Sequence, residues 1–406
     1  MVSRNDGAPD ARMLLNSSER AIKAVNRRKI VRAVMVQPST QVQIARRTDL
    51  SQAKVSAVVQ ELVHDNLVTV HDSERGKTIR LREVRGLAAG VDIGHERLTV
   101  AVRRVDDDFV HRAAVNVGAR HGMARWVGES AELIRRLSAE AGLSVEHLVS
   151  IGLGIPAAVN PRTAQVTMIA PSLGWDLDGD PRTWFENDFP GVPVAPDNDA
   201  NFAAFGEYMH GEGRDVETMI FVKASTGIGA GIIIRPYIYR GRRGLAGEMG
   251  HYCIAPGGAV CNCGRRGCVE TVAGGAELLA QVGKAYQGHG VEPPKTLDQL
   301  VDFARDGRDR VSLRVVQDAA RAIGAGIVME CNTLDPEMVV LGGELGRAGQ
   351  IAIDAVMETL RLGAIESAVE GDSAVLVRTS ALGLSAGAQG ALSFALMSEE
   401  SVSHIG

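Results

Sequence analysis

A segment of 24 residues, from Gly247 to Glu270, constrains this chain more than any other part of its sequence. It reads GEMGHYCIAPGGAVCNCGRRGCVE, and it brings together one imidazole and three thiols, those of His251, Cys261, Cys263 and Cys268. Imidazole and thiolate are the donors that a tetrahedral Zn²⁺ ion takes in proteins. Four of the five cysteines lie between Cys253 and Cys268, so a chance group of unrelated thiols is a poor alternative. The segment therefore predicts one zinc ion bound by these four side chains.

The predicted zinc site is structural, because four protein ligands leave no open position for a reactive water. We expect the metal to hold Glu248 and His251 in one pose. The second nitrogen of His251 would then bind a carboxylate or a ligand hydroxyl. Cys253 lies outside the ligand set, and we expect a buried thiol there, with a competing metal ligand as the alternative.

The same segment also carries a resemblance. Glu248-Met249-Gly250-His251, followed by Cys261-Asn262-Cys263-Gly264-Arg265-Arg266-Gly267-Cys268-Val269-Glu270, resembles the signature of the ROK family of repressors, open reading frames and sugar kinases. A CxCGxxGCxE block after a GExGH block is hard to obtain by chance. The resemblance implies that the zinc loop shapes a sugar pocket, and it leaves open whether the chain is a kinase or a repressor.

Length and cysteine usage bound the class of protein. At 406 residues the chain is long enough for two or three domains with a large core. It has no apolar run of about 20 residues, so no membrane span is expected. Its first residues lack the apolar stretch of a secretory signal. Five cysteines, four of them spaced for a metal, favour the reducing cytoplasm over a disulfide framework.

Charge is distributed unevenly along the chain. Residues 1–85 contain 16 Lys and Arg against 9 Asp and Glu, whereas the remainder contains 28 against 40. A basic N-terminal region on an acidic body indicates that this region meets a polyanion. A merely solvated, arginine-rich surface is the alternative on charge alone.

Residues 1–85 show the element order of a winged helix-turn-helix domain. Residues 1–16 are polar and are expected to be disordered. Apolar residues then repeat at helical spacing in three segments, from Asn26, from Gln41 and after Ser51, with Ser39 or Thr40 as the cap of the second. The predicted buried stripe of the third helix consists of Val55, Val58, Val59, Leu62 and Val63. Two strand-like runs follow, LVTVHD and TIRLREV.

In such a domain the third helix enters the major groove of DNA. Eight side chains are expected to contact DNA at base edges, phosphates or the wing. They are Ser51, Gln52, Lys54 and Ser56 near the start of the third helix, Arg46 and Arg47 before it, and Arg75 and Lys77 on the wing. A small helical protein-binding module is the alternative. The resemblance favours DNA, since ROK repressors carry such a domain and ROK kinases do not, and it points to regulators of the Mlc, NagC and XylR type.

Residues 86–406 predict an α/β domain, because strands that end in glycine turns alternate with helices. Examples are Leu87–Gly94, Ser150–Pro156 and Met338–Gly343. The resemblance implies the two-lobed actin-like ATPase fold of sugar kinases. We expect one lobe at about 86–197 together with the C-terminal helix, and the other at about 198–380.

The resemblance also implies five sugar-binding residues. Asp199 matches the catalytic aspartate of the family and Asn198 its sugar-binding partner, while Glu248, His251 and Glu270 match further sugar ligands. Carboxylates and amides suit a polyhydroxylated ring, because each accepts or shares hydroxyl hydrogen bonds. The alternative roles for these residues are helix capping and support of the zinc loop.

The nucleotide side departs from the kinase pattern. Family kinases have Asp-x-Gly-Gly-Thr at the first phosphate loop, where this chain has Asp92-Ile93-Gly94-His95-Glu96. His95 adds bulk at a glycine position, and Glu96 would repel phosphate at close range. Ser225–Gly231 nearly completes the second loop, and Leu341–Glu344 resembles the adenosine-side motif. Near the sugar, Pro156-Ala157 replaces a Pro-Gly pair.

Two functions follow from these observations, with the first favoured by the altered loop. One is a sugar-responsive transcriptional regulator of carbohydrate metabolism, a repressor without catalytic residues. The other is an ATP-dependent sugar kinase with an appended DNA-binding head. The expected partners are double-stranded, palindromic operator DNA, a sugar or sugar phosphate effector, and further copies of the chain in a homodimer or tetramer. Structural Zn²⁺ is the expected cofactor.

Overall fold

The structure is a computed structural model, and it comprises two compact units. The first unit contains the residues up to Gly86 with Arg104–Asp108 and the residues from Leu396, and the second contains Leu87–Arg103 and Phe109–Ala395. Within the part of the chain that the structure describes, no helix is long and apolar enough to cross a membrane. The described residues are 11–73, 76–82, 85–117, 122–169, 180–287, 292–307 and 309–397.

The first unit is a winged helix-turn-helix domain. Its elements are α1 (Ala11–Val36), β1 (Ser39–Thr40), α2 (Gln41–Thr48), α3 (Gln52–His64), β2 (Val68–Ser73) and β3 (Gly76–Leu81). The three strands form an antiparallel sheet in the order β1-β3-β2. Thr40 caps α2 in a reciprocal pair with Gln43, and Asp49 ends α2 in a left-handed conformation with φ 55°. The turn that follows leads to Ser51, which caps α3.

The apolar stripes form the core of this unit with one exception. Ile30, Ile44 and Leu62 are fully buried, together with most of the predicted third stripe. Val63 was placed in that stripe and is 42% exposed, so this prediction was wrong. The inward face of α3 is filled by Val55, Val58, Val59 and Leu62. Val63 is the next residue after Leu62, so the helical twist turns its side chain away from this inward face. The disorder expected for residues 1–16 conflicts with α1, which begins at Ala11, and residues 1–10 lie outside the described residues.

The second unit begins with a five-stranded sheet. The elements are β4 (Leu87–Ile93), β5 (Arg97–Arg104), β6 (His111–Asn116), α4 (Met123–Glu140), β7 (Leu148–Ile155), β8 (Ala157–Val159), β9 (Val166–Ile169) and β10 (Val194–Asn198). The sheet order is β10-β7-β4-β5-β6, with β7 parallel to both β4 and β10. The trio β10, β7 and β4 therefore directs its carboxyl ends to one edge of the sheet.

A second five-stranded sheet follows in the same unit. Its strand order is β13-β12-β11-β14-β15, with β14 parallel to β11 and β15. The elements are α5 (Asp199–His210), β11 (Thr218–Ala224), β12 (Ile228–Ile234), β13 (Tyr237–Ile238), α6 (Glu270–Ala273), α7 (Gly275–Ala285), α8 (Leu297–Asp306), α9 (Arg310–Leu334), β14 (Met338–Gly342), α10 (Gly343–Gly346), α11 (Gln350–Gly363), α12 (Glu366–Val369), β15 (Leu376–Thr379) and α13 (Ala386–Met397).

The two sheets repeat one plan. Numbered in chain order within each sheet, both have the order 3-2-1-4-5, which is the duplicated topology of the actin-like ATPase fold. The predicted fold class, an N-terminal winged helix-turn-helix followed by a two-lobed α/β domain, is therefore confirmed. The C-terminal helix α13 packs on the first sheet, where Gly90 and Gly152 allow its backbone to approach. A Cβ on Gly90 or Gly152 would lie 2.0 Å from a carbonyl oxygen of α13.

Candidate functional site

The four predicted metal ligands form one cluster in the second unit. The ligand atoms of His251, Cys261, Cys263 and Cys268 all lie within 4.8 Å of one another. Tetrahedral sulfur ligands at about 2.3 Å from zinc lie about 3.8 Å apart, and the sulfurs of Cys263 and Cys268 are 3.7 Å apart. The spacing and the donor types of the four residues therefore both fit a tetrahedral metal ion.

His251 presents its two nitrogens to different neighbours. Nδ1 lies 3.5 Å from Sγ of Cys261, on the side of the thiols. Nε2 lies 3.9 Å from Oε2 of Glu248, too far for a direct hydrogen bond. The ring can thus bind a metal through Nδ1 and still offer Nε2 to a ligand hydroxyl, so the two roles predicted for His251 are compatible.

Cys253 does not behave as the sequence predicted. Its thiol is exposed rather than buried, and it is not part of the metal cluster. Cys253 forms an isolated antiparallel bridge with Cys268. Side chains of neighbouring residues in an extended strand point to opposite faces, and here the partly buried Tyr252 takes the inner face, where its hydroxyl donates to Glu330 of α9 at 2.5 Å.

A cavity of about 180 Å³ adjoins the metal cluster. It lies where the N-terminus of α5, the turn between β11 and β12 and the metal-binding loop meet. All five residues predicted to bind sugar line it: Asn198, Asp199, Glu248, His251 and Glu270. Ala157, the residue that departs from the family pattern, also lines it.

Two of the cavity residues have structural duties as well. Oδ1 of Asn198 caps α5 by accepting from the amides of Ala200 and Asn201, while Nδ2 donates to the carbonyl of Ala157 at 3.2 Å. Oε2 of Glu270 accepts from the amide of Ile228 at 3.2 Å and so holds the β11–β12 turn. The primary amide of Asn198 has a second N–H, which leaves one donor for a ligand.

Sequence reasoning missed Lys223, which supplies a cation to the wall of this cavity. Nζ of Lys223, on β11, lies 2.8 Å from Oδ2 of Asp199 and 3.3 Å from Oδ1 of Asp92, on β4. Both carboxylates are buried, and the Lys223 side chain is 18% exposed. The signal was present in the sequence, because a lysine in an otherwise apolar, buried strand requires a charged partner.

The cleft shifts the pKa values of several groups. Burial raises the pKa of Asp92 to about 6, although the Lys223 ammonium opposes the shift. Burial alone would lower the pKa of Lys223, but the carboxylates of Asp199 and Asp92 outweigh it and raise that pKa. Burial, helped by the charges of Asp199 and Glu270, raises the pKa of Glu248 to about 7. Burial lowers the pKa of His95, which favours a neutral imidazole.

A second cavity, of about 370 Å³, lies on the other side of Lys223 and His95. Its lining brings together the three segments that resemble nucleotide motifs, represented by Asp92 to Glu96, Ser225 and Thr226, and Gly343 and Glu344. His95 lines both cavities. Its ring lies against the second phosphate-type turn, since a Cβ on Gly227 would be 3.4 Å from Cε1 of His95.

Most of the residues predicted to contact DNA lie on the surface of the winged helix-turn-helix unit. Ser51, Gln52, Lys54, Arg46 and Lys77 are exposed, and Ser56 is half-buried. Arg47 is half-buried, and its Nη1 donates to Oγ of Ser39 at 2.7 Å, so this guanidinium also ties α2 to β1. Arg75 lies outside the described residues.

Comparison with known proteins decides the family. The family model described as "ROK family" matches residues 88–398, about three-quarters of the chain. This chain belongs to the ROK family. The matched range contains nearly all of the second unit, and it begins after the last strand of the winged helix-turn-helix.

ROK relatives of two kinds are similar to the chain. A putative xylose repressor of Caldicellulosiruptor sp. (strain Rt8B.4) is 29% identical over 82% of this chain and 86% of its own length. A glucokinase of Halalkalibacterium halodurans is 31% identical over 74% of this chain and 92% of its own length. The repressor alignment thus covers more of this chain than the glucokinase alignment does.

Two solved ROK structures share the fold of this chain over different parts of its length. A ROK family transcriptional regulator, a homologue of the E. coli MLC protein, superposes with a TM-score of 0.71 over 95% of this chain and 99% of that chain, at 21% identity. A ROK glucokinase from Streptomyces griseus, in complex with glucose and AMPPNP, superposes with a TM-score of 0.63 over 77% of this chain and 100% of that chain, at 28% identity.

Proposed function

We propose that this ROK protein is a sugar-responsive, DNA-binding transcriptional repressor of carbohydrate metabolism that does not transfer phosphate. The observation that carries the proposal is the winged helix-turn-helix unit at the N-terminal side of a ROK domain. Phosphoryl transfer to a sugar does not itself require such a unit. The similarity to xylose repressors extends over 82% of the chain and supports the same conclusion.

The altered phosphate loop argues against phosphoryl transfer. That reaction depends on positioning the phosphates and neutralising the charge that develops on them. The imidazole ring of His95 lies against Gly227 in the second phosphate-type turn. In a kinase, the backbone of this turn would have to approach the phosphates of the nucleotide. The carboxylate of Glu96 lines the 370 Å³ cavity. Both changes oppose the binding of a nucleoside triphosphate.

The effector is a sugar bound in the 180 Å³ cavity, with Asn198, Asp199, Glu248, His251 and Glu270 as its polar partners. Zn²⁺ at His251, Cys261, Cys263 and Cys268 would supply rigidity to the loop that presents His251 and Glu248. Hydrogen-bond acceptors dominate this set, which suits the hydroxyl groups of a sugar ring.

The regulatory step is a linkage between effector and operator. A sugar changes DNA affinity only by binding one conformation of the protein more tightly than another. We further propose that the operator is palindromic and is read by a homodimer or a tetramer, because two winged heads related by a two-fold axis match two half-sites. Base and phosphate contacts would come from the start of α3, from Arg46 and Arg47, and from the wing with Arg75 and Lys77.

The test has two arms on the purified full-length protein. In the first, operator fragments are selected from genomic DNA, and their binding is titrated with and without a panel of sugars and sugar phosphates. We expect specific binding that one sugar shifts. Binding of equal strength to all DNA, unaffected by every sugar, would contradict the proposal.

The second arm measures ADP release with ATP and the same panel. We expect no turnover above background. The glucokinase relatives make a sugar kinase with an appended DNA-binding head the second candidate. Sugar-dependent ADP release that disappears in Asp199→Asn would establish that candidate instead, because Asp199 stands at the kinase base position.

A further inference from the structure

The side chains of Asp92, Asp199 and Lys223 lie close together in the second unit. Asp92 belongs to β4 in the first sheet, Asp199 is the first residue of α5, and Lys223 belongs to β11 in the second sheet. One ammonium nitrogen lies 2.8 Å from one carboxylate and 3.3 Å from the other. Lys223 thus pairs with Asp92, which is 131 residues away in the sequence.

The ammonium stands where two carboxylates would otherwise repel each other. Asp92 and Asp199 raise each other's energy when both are ionised, and the charge of Glu344 acts on Asp92 in the same sense. Burial strengthens these interactions, because little water is present to screen them. A positive charge between the carboxylates is therefore required if both are to remain ionised.

Proteins that bind nucleoside triphosphates meet this requirement with a divalent cation. Mg²⁺ is held by one or two carboxylates together with the phosphates of the substrate. A lysine is part of the chain and does not exchange, and its ammonium donates hydrogen bonds but cannot bridge carboxylates and phosphates as a coordinated metal ion does. Here β11 is the central strand of its sheet, paired with β12 on one side and β14 on the other.

We propose that Lys223 is a built-in cation that replaces a divalent metal ion between Asp92 and Asp199. The cleft then holds its carboxylates ionised for a sugar hydroxyl without a metal, and it offers no metal to the phosphates of a nucleotide. This inference deepens the proposed function and rests on it for its meaning, since it gives a reason why the cleft senses a sugar and does not phosphorylate it.

The proposal predicts that removal of the ammonium uncovers a metal site. Full-length, zinc-loaded protein would be titrated with Mn²⁺ at about pH 8, above the pKa of about 6 that Asp92 has in the wild type, and free Mn²⁺ would be followed by electron paramagnetic resonance. Mn²⁺ binds most weakly among the first-row divalent ions, so it does not displace zinc from thiolates. We expect Lys223→Met to gain one Mn²⁺ per chain, at least about tenfold tighter than any binding to the wild type.

Three further variants locate the gained site. Lys223→Arg keeps the charge and should gain nothing. Lys223→Met combined with Asp199→Asn should lose the gained Mn²⁺. Lys295→Met is the matched control, because Lys295 lines the larger cavity but pairs with Glu292 at 2.9 Å, away from the two aspartates. It should leave Mn²⁺ binding as in the wild type.

Lys223→Gln guards against a variant that fails to fold, because its amide can still donate to one carboxylate. Each variant would first be checked for its thermal transition. Mn²⁺ binding by the wild type that Asp199→Asn abolishes would overturn the proposal. So would the lack of a gained site in folded Lys223→Met or Lys223→Gln. Neither result bears on operator binding or its response to sugar, so failure here is separate from failure of the proposed function.

Discussion

Several cleft residues combine a local structural role with a place in the cavity wall. Asn198 caps α5, and Glu270 accepts a hydrogen bond from the amide of Ile228. A local structural role and a sugar-binding role are therefore compatible for both residues. A substitution at either position changes the fold and the cavity together. Glu248 is the better probe of ligand contact, because its side chain lines the cavity and makes no helix-capping hydrogen bond.

The metal cluster leads to a prediction for Cys263→Ser. We expect this variant to bind zinc more weakly and to lose effector affinity. Glu248, His251 and Glu270 would have to be ordered by the sugar, at about 0.5–1.5 kcal/mol for each side chain. Metal analysis and a sugar titration are the measurements. The winged head has its own core and should stay folded.

Cys253→Ser is the matched control for that experiment. It replaces an exposed thiol of the same loop that lies outside the cluster, and it should change neither zinc content nor sugar affinity. A wild type purified without zinc, or a Cys263→Ser variant that binds the effector as tightly as the wild type, would refute the coupling between metal and cavity.

The raised pKa of Asp92 predicts a pH-dependent difference in stability. A carboxyl whose pKa is about 6 when folded and near its ordinary value of 3.8 when unfolded binds its proton more tightly in the folded protein. Its stabilising contribution is present below the unfolded value and is lost as the pH rises through about 6. Asp92→Asn lacks this titration.

We therefore expect the stability of the wild type relative to Asp92→Asn to fall as the pH rises from about 4 to 7. Thermal transitions of both proteins over this range give the difference, in which shared titrations such as those of the metal ligands cancel. A difference that is constant with pH would show that the pKa of Asp92 is the same in the folded and the unfolded protein, contrary to this prediction.

At the scale of elements, α2 and α3 each begin at an N-cap residue, and the start of α3 presents polar side chains at the surface. Ser51 ends the turn and accepts from the amide of Lys54, which leaves the Gln52 and Lys54 side chains exposed in the first turn of α3. The buried side of the same helix is fixed by Val55, Val59 and Leu62. Substitution of the exposed residues should therefore alter DNA binding and leave the unit folded.

The double variant Gln52→Ala/Lys54→Ala tests this surface. Each bidentate base contact is worth roughly 1–3 kcal/mol, so specific operator binding should weaken by that amount per residue while non-specific binding changes less. Gln60→Ala, an exposed substitution on the same helix, is the control and should have a smaller effect. Unchanged operator affinity in the double variant would exclude α3 as the recognition helix.

At the scale of the whole molecule, the proposed function joins a ligand cavity in one unit to a DNA-binding surface in the other. Such a linkage is reciprocal by thermodynamic necessity. If the sugar lowers operator affinity by some factor, saturating operator DNA must lower sugar affinity by the same factor, and factors of about 5–150 are typical.

Calorimetric sugar titrations of the free protein and of the operator complex would measure this factor directly. We expect it to equal the shift in operator affinity that the sugar causes. A sugar that binds equally well to both forms would have no regulatory effect on DNA, however tight its binding. Cys263→Ser should weaken sugar binding to both forms.

Features carried by local patterns were predictable from the sequence. The four candidate metal ligands lie within 18 residues of one another, so spacing and donor type were enough to predict their cluster. The helices of the head followed from apolar periodicity and the glycine turns of the α/β domain from strand ends. Burial within an element was less certain, and Val63 and Cys253 were misplaced because exposure depends on what packs against each face.

Features made by contacts between distant segments were decided only by the tertiary structure. The repeated strand order of the two sheets requires pairing across the chain, as with β11 and β14. The ion pairs of Lys223 with Asp92 and Asp199 require the ends of two sheets and of α5 to meet. The sequence by itself determined which residues carry the chemistry, because donor type and local spacing are properties of short segments. Which charges neutralise one another was set by folding, because Coulomb interactions depend on distances in space and on burial.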